Sequence, residues 1–275
     1  MKAIFKLPAR WLVISAGFAL VALLSGCDGS SSTGTLPEAN FYRIEGVLVN
    51  DLNAGLAVGD TARIAIKVER NDSVLADAAV TFGTTVLAFD RGSFPIDSVY
   101  SFSQGPTSFV ESGAYGVGLV DSSLFADTLT LVAPDTFRID FYTDGEDSLN
   151  VGGQEMQLTW TSAANAEGYV MSVVIEDSVY TGYGYTEYVT SQAPQTTIPP
   201  DAFRLESGIG GIPDTGWYHI FVYGYTGNPD SALSHPLLPV PLPSSLGDNV
   251  DVRNLVGRLG AVTVTDYVRV HVVAQ

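Results

Sequence analysis

Apolar and polar residues alternate one by one along most of the chain from Phe41 onwards, and this period of two constrains the fold more than any other feature. In residues 62–69, for example, every even position is apolar, while the odd positions hold Arg63, Lys67 and Glu69 together with one alanine. Such a pattern places one side of a β-strand on a core and the other side towards solvent. We therefore predict an all-β chain built from β-sandwiches.

The first predicted domain covers residues 39–134. Its alternating runs are short, and turn signals such as Val58-Gly59-Asp60 and Asn71-Asp72 separate them. No stretch of this sequence between residues 40 and 133 has a helical period, which favours a sandwich. The segments DAAV (77–80) and DTLTL (127–131) resemble bacterial immunoglobulin-like modules. The resemblance implies an immunoglobulin-like β-sandwich.

The second predicted domain covers residues 135–275 and alternates in the same way. A strand that ends in Trp160, the pair Gly168-Tyr169 and the segment GWYHIFV (216–222) together resemble fibronectin type III domains. This resemblance implies a second β-sandwich in which Trp160, Tyr169 and Tyr218 are core residues. It implies nothing about activity.

Two proline-rich excursions interrupt the second domain, at residues 190–216 and 228–249. Prolines cannot donate to a β-ladder, so we expect them on the surface or at a sheet edge. Loops of this length are usually functional or disordered. Within the first excursion, residues 200–205 begin with proline and predict one or two helical turns.

Asp266 lies on the same parity as the valines of the last apolar run, residues 261–273. A continuous strand would therefore carry its carboxylate into the core, which is unfavourable without a partner. We predict a bulge or a break at Thr265-Asp266.

The N-terminal residues 1–26 have a basic start, an apolar core over residues 11–24 and small residues before Cys27, as export signals do. The apolar core is shorter than the about 20 residues that a membrane-spanning helix requires. The segment LSGC (24–27) resembles the lipobox of bacterial lipoproteins. The resemblance implies cleavage before Cys27, and acyl chains such as palmitate on that residue would anchor the protein in a lipid bilayer of the cell envelope.

Residues 27–38 then form the lipidated cysteine and a flexible tether, because they are rich in glycine and serine. Asp28 resembles the enteric signal for retention at the inner membrane, but we leave the choice between inner and outer membrane open. The alternatives for this region are an uncleaved anchor helix and a thiol that acts as a nucleophile or a metal ligand. Cys27 is the only cysteine, so the chain forms no internal disulfide.

Charge excludes one class of partner. The chain has 30 acidic and 13 basic side chains, and three of the basic ones lie within the predicted signal, so the formal net charge of −17 becomes −20 after cleavage. A body this acidic repels phosphate backbones, which argues against nucleic acid as a partner.

The sequence gives little indication of catalysis. We expect His219 and His271 at outward positions of strands and His235 in a loop, so none is paired with a nucleophile as acid–base chemistry requires. The sequence contains no G-x-S-x-G, H-E-x-x-H or C-x-x-C motif. We therefore predict no enzyme activity and no cofactor.

One acidic cluster is a candidate metal site. Asp140, Asp144, Glu146 and Asp147 fall within eight residues, and carboxylate oxygens are ligands that Ca²⁺ prefers. The alternative is a solvated acidic turn, because the spacing does not match an EF-hand loop.

Aromatic residues form the most suggestive pattern. We ask whether they line one exposed face, which would make a platform for sugar rings or a protein partner. The candidates are Tyr183, Tyr185, Tyr188, Trp217, Phe221 and Tyr223. The alternative is that they pack beneath the excursion at residues 190–216.

These observations favour a non-catalytic, membrane-anchored envelope lipoprotein whose tandem sandwiches present loops to another envelope protein. The second hypothesis is a surface protein that binds glycans or peptides through the aromatic residues. The third is an enzyme or a metal-dependent module of unknown reaction.

Overall fold

A computed structural model describes residues 40–51, 61–92, 98–103, 112–122, 124–142, 148–150, 155–179, 181–190, 193–203, 215–235, 237–244 and 246–273. The predicted signal (1–26), Cys27 and the tether (27–38) lie outside the described residues, so these expectations stay predictions. Among the described segments, none forms a helix with the length and apolar character needed to cross a membrane.

The described chain is almost entirely β-structure, which confirms the all-β prediction. The strands of the first half are β1 (Tyr42–Asp51), β2 (Thr61–Arg70), β3 (Ser73–Val74), β4 (Ala79–Phe82), β5 (Thr85–Val86), β6 (Ala88–Asp90), β7 (Val99–Ser103), β8 (Gly113–Asp121) and β9 (Phe125–Ala133). Those of the second half are β10 (Ile139–Tyr142), β11 (Ser148–Asn150), β12 (Met156–Trp160), β13 (Gly168–Ile175), β14 (Tyr185–Val189), β15 (Gln195–Ile198), β16 (Gly216–Gly227), β17 (Val250–Val252), β18 (Leu255–Val264) and β19 (Val268–Val273). Within the described residues, the helical elements are two 3₁₀ turns, Glu176–Ser178 and Pro200–Ala202, and the four-residue helix α1 (Ser231–Ser234).

Twelve strands form one large sheet whose path runs β11-β19-β16-β18-β1-β2-β7-β6, with β13, β14, β17 and β3 attached beside it. At its centre, β1 pairs antiparallel with β2 and parallel with β18, so that Tyr42 lies opposite Leu255 and Asp51 lies opposite Val264. Strands from both predicted domains therefore share a sheet, and residues 39–275 form one compact unit. The prediction of two tandem domains, 39–134 and 135–275, did not include this shared sheet.

The first small sheet, β5-β4-β8-β9, packs on one face of the large sheet. The core between them holds Ile44, Ile66, Val80 and Leu119, all of them buried. Leu255 and its neighbours on β18 belong to the same core, so the C-terminal part of the chain completes the first sandwich.

The second small sheet, β10-β12-β15, packs on the same face of the large sheet, beside β13, β16 and β19. Trp160, Tyr169 and Tyr218 are all buried there, as the fibronectin type III resemblance implied. The Trp160 and Tyr169 rings meet edge to face with centroids 5.2 Å apart. The Tyr218 hydroxyl donates a hydrogen bond to the carbonyl of Phe203 at 3.1 Å.

A third core lies on the opposite face of the large sheet, which we call the second face. There the odd-numbered Val47 and Val49 of β1 and the even-numbered Val262 and Val264 of β18 pack against the segment 237–242. Strands at the centre of the large sheet are therefore buried on both faces.

The two proline-rich excursions contain more structure than the sequence predicts. The first contributes β15 to the second small sheet, followed by the 3₁₀ turn Pro200–Ala202 at the place where a helical turn was expected. The second excursion covers the second face of the large sheet. Pro239 is buried there, whereas the prolines of this excursion were expected on the surface or at a sheet edge. The segment crosses the sheet as a cover, not as a strand, so its prolines leave no ladder bond unmade.

The predicted break near Asp266 is confirmed. Strand β18 ends at Val264 and β19 begins at Val268, and Asp266 is exposed in the connection. Thr265 closes the gap, because its amide donates to the carbonyl of Val222 at 3.0 Å.

Candidate functional site

The second face of the large sheet carries most of the polar chemistry of the described chain. Its centre is covered by the segment 237–242, and a cluster of side chains lies on each side of this cover. One cluster is ionic and lies across β2, β1 and β18. The other combines aromatic rings with charged groups and lies across β16 and β19.

The ionic cluster is centred on Glu45. This residue lies opposite Lys67 on β2 and opposite Arg258 on β18, so the three side chains form a row across the sheet. Arg258 approaches the Glu45 carboxylate at 3.1 Å and Asp230 at 3.0 Å. On the other side, the Lys67 ammonium lies 2.7 Å from Glu69 and 4.0 Å from Glu45.

Charge pairing determines the protonation state of Glu45. Burial raises the pKa of this carboxyl, but hydrogen bonds from Arg258 and Arg43 outweigh it, and the pKa is lowered overall. Arg43 is itself paired with Asp248 at 3.1 Å. The cations of this cluster are thus neutralised within the fold, which makes the cluster an ionic tie between strands and not a receptor for an anion.

The second cluster, which we call the Trp217 cluster, consists of Glu176, Trp217, His219, Tyr267, Arg269 and His271. Antiparallel pairing of β16 with β19 places Trp217 opposite His271 and His219 opposite Arg269. The Arg269 guanidinium lies 3.8 Å from the centre of the Trp217 ring, and the His271 ring stacks on Trp217 at 4.4 Å. Arg269 also donates to a carboxylate oxygen of Glu176 at 2.7 Å.

His219 is buried, which corrects the prediction that it points outwards. Its ring stacks on Tyr267 with centroids 4.0 Å apart, and Nε2 lies 3.7 Å from a carboxylate oxygen of Glu176. Neither ring nitrogen makes a hydrogen bond. Burial lowers the pKa of His219, Glu176 opposes that shift and Arg269 adds to it, so the imidazole is held neutral.

The other two histidines lie nearer the surface. His271 is half-buried against Trp217, and His235 is exposed at the end of α1. The side chains in contact with His219 are the Tyr267 and Phe221 rings and the carboxylate of Glu176, without a serine, threonine or cysteine among them. The cluster is therefore suited to packing and to surface recognition.

The predicted aromatic platform is wrong for Phe221 and Tyr223. Both side chains have no exposed area, because the segment 237–242 covers them. The Tyr223 hydroxyl donates to the carbonyl of Val240 and accepts from its amide, both at 3.2 Å. The covering segment belongs to the second excursion, whereas the alternative prediction placed these residues beneath the first.

The predicted tyrosines do not share one face either. Tyr183 is 72% exposed, while Tyr185 and Tyr188 are half-buried on β14. Because they are three residues apart on a strand, Tyr185 packs towards the second sandwich core and Tyr188 packs against Tyr225 on the second face. Of the six candidates, Tyr183 is exposed, Tyr185, Tyr188 and Trp217 are half-buried, and Phe221 and Tyr223 have no exposed area.

The predicted metal site remains a prediction. Asp140 is exposed on β10 and accepts a hydrogen bond from Arg138 Nε at 3.0 Å. Asp144, Glu146 and Asp147 lie outside the described residues. Among the residues that are described, no group of three or more histidine, cysteine or acidic side chains is placed to hold a metal ion.

Sequence reasoning missed Glu176, Tyr267 and Arg269 as members of the Trp217 cluster. Their proximity depends on the pairing of β16 with β19 and on a 3₁₀ turn, neither of which has a local signal. One signal was present for the burial of His219. Nearly every residue of GWYHIFVY (216–223) is apolar or aromatic, and such continuous runs are typical of strands buried on both faces.

Comparisons with known proteins do not assign this chain to a family. A scan against protein-family models found no match, and a search of curated proteins found none. Among solved structures, the chain is similar to the crystal structure of DIP-gamma IG1+IG2, with 13% identity and a TM-score of 0.22 over 86% of this chain and 97% of that chain.

Two further structures give similar values. One is Dpr11 IG1 bound to DIP-gamma IG+IG2, with 12% identity, a TM-score of 0.22 and coverage of 82% and 98%. The other is titin domains z1z2 in complex with telethonin, with 10% identity, a TM-score of 0.20 and coverage of 86% and 94%. TM-scores this low support no inference about the fold or function of this chain.

Proposed function

We propose that this chain is a non-catalytic bacterial envelope lipoprotein, anchored through acyl chains on Cys27, whose β-sandwich body binds another envelope protein. The support for the anchor is the segment LSGC (24–27), which directly follows a short apolar run. Two or more acyl chains hold a protein at a bilayer far more firmly than one, because each buried methylene contributes about 0.8 kcal/mol.

The non-catalytic part of the proposal is supported by buried polar groups whose hydrogen bonds connect one strand to another. Asp121 accepts from the Tyr42 hydroxyl at 2.8 Å and from Arg70 at 2.7 Å, which joins β8 to β1 and β2. The Tyr100 hydroxyl donates to the Leu75 carbonyl at 2.9 Å, and Tyr223 is bonded to Val240. Groups bound in this way connect strands and hold a scaffold rigid.

The Trp217 cluster is the surface that we assign to the partner. Tryptophan and arginine are the side chains that most often dominate protein interfaces. Here Arg269 is exposed and Trp217 is half-buried, and each fixes the orientation of the other at 3.8 Å. Such a pre-organised pair loses little conformational entropy on binding.

Labelling with palmitate in the native host tests the anchor. We expect incorporation into the unaltered protein and none into the Cys27→Ser variant, which should also leave the membrane fraction. Absence of label from the unaltered protein would refute the anchor.

Co-purification from native membranes tests the partner surface. We expect one envelope protein to be captured by the unaltered chain and to be lost with Trp217→Ala and with Arg269→Ala. The matched control is Tyr183→Ala, which removes an exposed aromatic ring from a different element. Equal capture by all four proteins would show that the Trp217 cluster is not the interface.

A further inference from the structure

The outward face of the first small sheet has no charged side chain at any of eleven positions. We call it the neutral face. Its residues alternate along their strands with core residues such as Val80, Val117 and Leu119, and they are exposed or half-buried. They are Ala79, Thr81, Val86, Ala114, Gly116, Gly118, Val120, Ala126, Thr128, Thr130 and Val132.

The strand register makes this face flat. Val86, Thr81, Gly118 and Thr128 lie side by side in one row across all four strands. Gly118 forms the floor of that row, since a β-carbon there would lie 2.5 Å from the Thr81 hydroxyl oxygen. No side chain in the row is longer than valine, so a second flat surface can approach it closely.

Three of the seven large apolar side chains that are exposed among the described residues lie on or beside this sheet. Val86 is 69% exposed and Val120 is 41% exposed on the neutral face, and Leu124 is 56% exposed in the hairpin between β8 and β9. These values are high for aliphatic side chains, which are among the residues most often buried.

The charge of the chain indicates which partners the neutral face can bind. The chain has 30 acidic and 13 basic side chains, so two copies repel each other in most orientations. When two neutral faces meet, no carboxylate from either sheet is brought into the contact. A face without large aromatic rings is poorly suited to stacking on sugars, and one without cations is poorly suited to lipid headgroups.

We propose that the neutral face binds the neutral face of a second copy of this chain, sheet against sheet. Four strands spaced by about 4.8 Å and three or four alternating positions along each give a patch of about 300–400 Å² per copy. The two copies would then bury about 600–800 Å², below the about 1,200–2,000 Å² of stable complexes. The association is therefore weak and reversible.

The importance of this contact in the cell depends on the proposed function, because anchoring in a membrane would concentrate the copies in two dimensions. The contact itself does not require the anchor. It can therefore be measured on residues 28–275, which contain the whole compact unit 39–275 and carry no lipid. If residues 28–275 do not dimerise, the proposed anchor is unaffected. If palmitate does not label the full chain, the measurement of dimerisation is equally unaffected.

Sedimentation velocity across about 0.02–1 mM protein, which reaches the dissociation constants of weak complexes, tests the proposal. We expect the unaltered chain to form dimers at the upper end. Thr81→Glu with Thr128→Glu places carboxylates on either side of Gly118 in each copy and should raise the dissociation constant at least tenfold. The matched control, Gln157→Glu with Thr190→Glu, adds the same charge at exposed sites elsewhere and should leave it within twofold.

Dimers that are lost with the first pair of substitutions and kept with the second support the proposal. A monomer at every concentration overturns it, and so does an equal loss in both variants. If the first variant does not fold, amide chemical shifts of the unaltered chain replace it. Concentration-dependent shifts confined to β4, β5, β8 and β9 support the contact, and shifts located elsewhere overturn it.

Discussion

His219 is a titratable side chain that the fold holds neutral, and its burial makes stability depend on pH. The pKa is lowered in the folded chain, so below about pH 6.5 the unfolded chain binds more protons than the folded one. We predict that the free energy of unfolding falls as pH falls below that value, by up to about 1.4 kcal/mol per unit, until folded His219 is itself protonated. Urea denaturation at a series of pH values measures this slope.

The matched variants for that measurement are His219→Phe and His235→Gln. Phenylalanine can keep the stacking on Tyr267 and loses no hydrogen bond, so its slope below pH 6.5 should be smaller than that of the unaltered chain. His235→Gln replaces an exposed histidine and serves as the control for loss of one imidazole. An unchanged slope in His219→Phe would assign the acid sensitivity to other groups.

Asp121 and Asp248 provide a comparison between a buried and an exposed ion pair. Asp121 is buried and bonded to Tyr42 and Arg70, whereas the Asp248 side chain is 42% exposed and pairs with Arg43. We predict that Asp121→Asn lowers the free energy of unfolding by about 2 kcal/mol, because the hydrogen bonds from Tyr42 and Arg70 lose their charged acceptor in a buried position. Asp248→Asn should lower it by less than about 1 kcal/mol, as surface pairs generally do. Denaturant titration at pH 7 measures both, and equal effects would contradict the assignment.

The segment 237–242 covers the second face, and substitution of one leucine in it tests that role directly. Leu238 has no exposed area, while its neighbour Leu237 is only partly buried against the same core. We predict a loss of about 2–4 kcal/mol for Leu238→Ala, since a buried leucine leaves a cavity, and less than half of that for Leu237→Ala. Chemical denaturation compares the two, and a larger effect at Leu237 would show that the cover is packed differently.

The parallel pairing of β1 with β18 depends on a glycine. Gly257 has a φ of +137°, and a β-carbon at this position would lie 1.9 Å from the carbonyl oxygen of Ile44 on β1. We predict that Gly257→Ala lowers the free energy of unfolding by about 3 kcal/mol or more, because both the backbone angle and the contact oppose a side chain. Gly247→Ala is the control, since a β-carbon added there would meet no atom within 4 Å. Similar melting temperatures for the two variants would refute the role of Gly257.

The strands could be predicted from the sequence because alternation is a local signal. Trp160, Tyr169 and Tyr218 were correctly placed in a core through the resemblance to fibronectin type III domains. The break at Asp266 followed from parity alone. The burial of Phe221 could not be predicted in this way, because alternation identifies the two faces of a strand but does not say what covers each face. Phe221 is covered by the segment 237–242, and this segment has no regular alternation.

Strand partners are the part of this molecule that local patterns do not determine. Tyr42 and Leu255 lie opposite each other although more than two hundred residues separate them, and their pairing is parallel. Sequence reasoning divided the chain near residue 134, where β9 ends and a proline follows. That division separates the two small sheets correctly but cuts through the large sheet that both of them share.

The shared sheet predicts that neither half of the chain folds alone. A fragment of residues 39–134 would lose β18, and with it Leu255, Leu259 and Ala261 from its core. A fragment of residues 135–275 would leave the edge of β18 unpaired, and unpaired strand edges favour aggregation. We therefore expect no cooperative thermal transition in either fragment by circular dichroism, and a single transition in the intact chain. Mixing the fragments from denaturant should restore part of the native signal, whereas a cooperative transition in the isolated 39–134 fragment would show that the first sandwich is independent of β18.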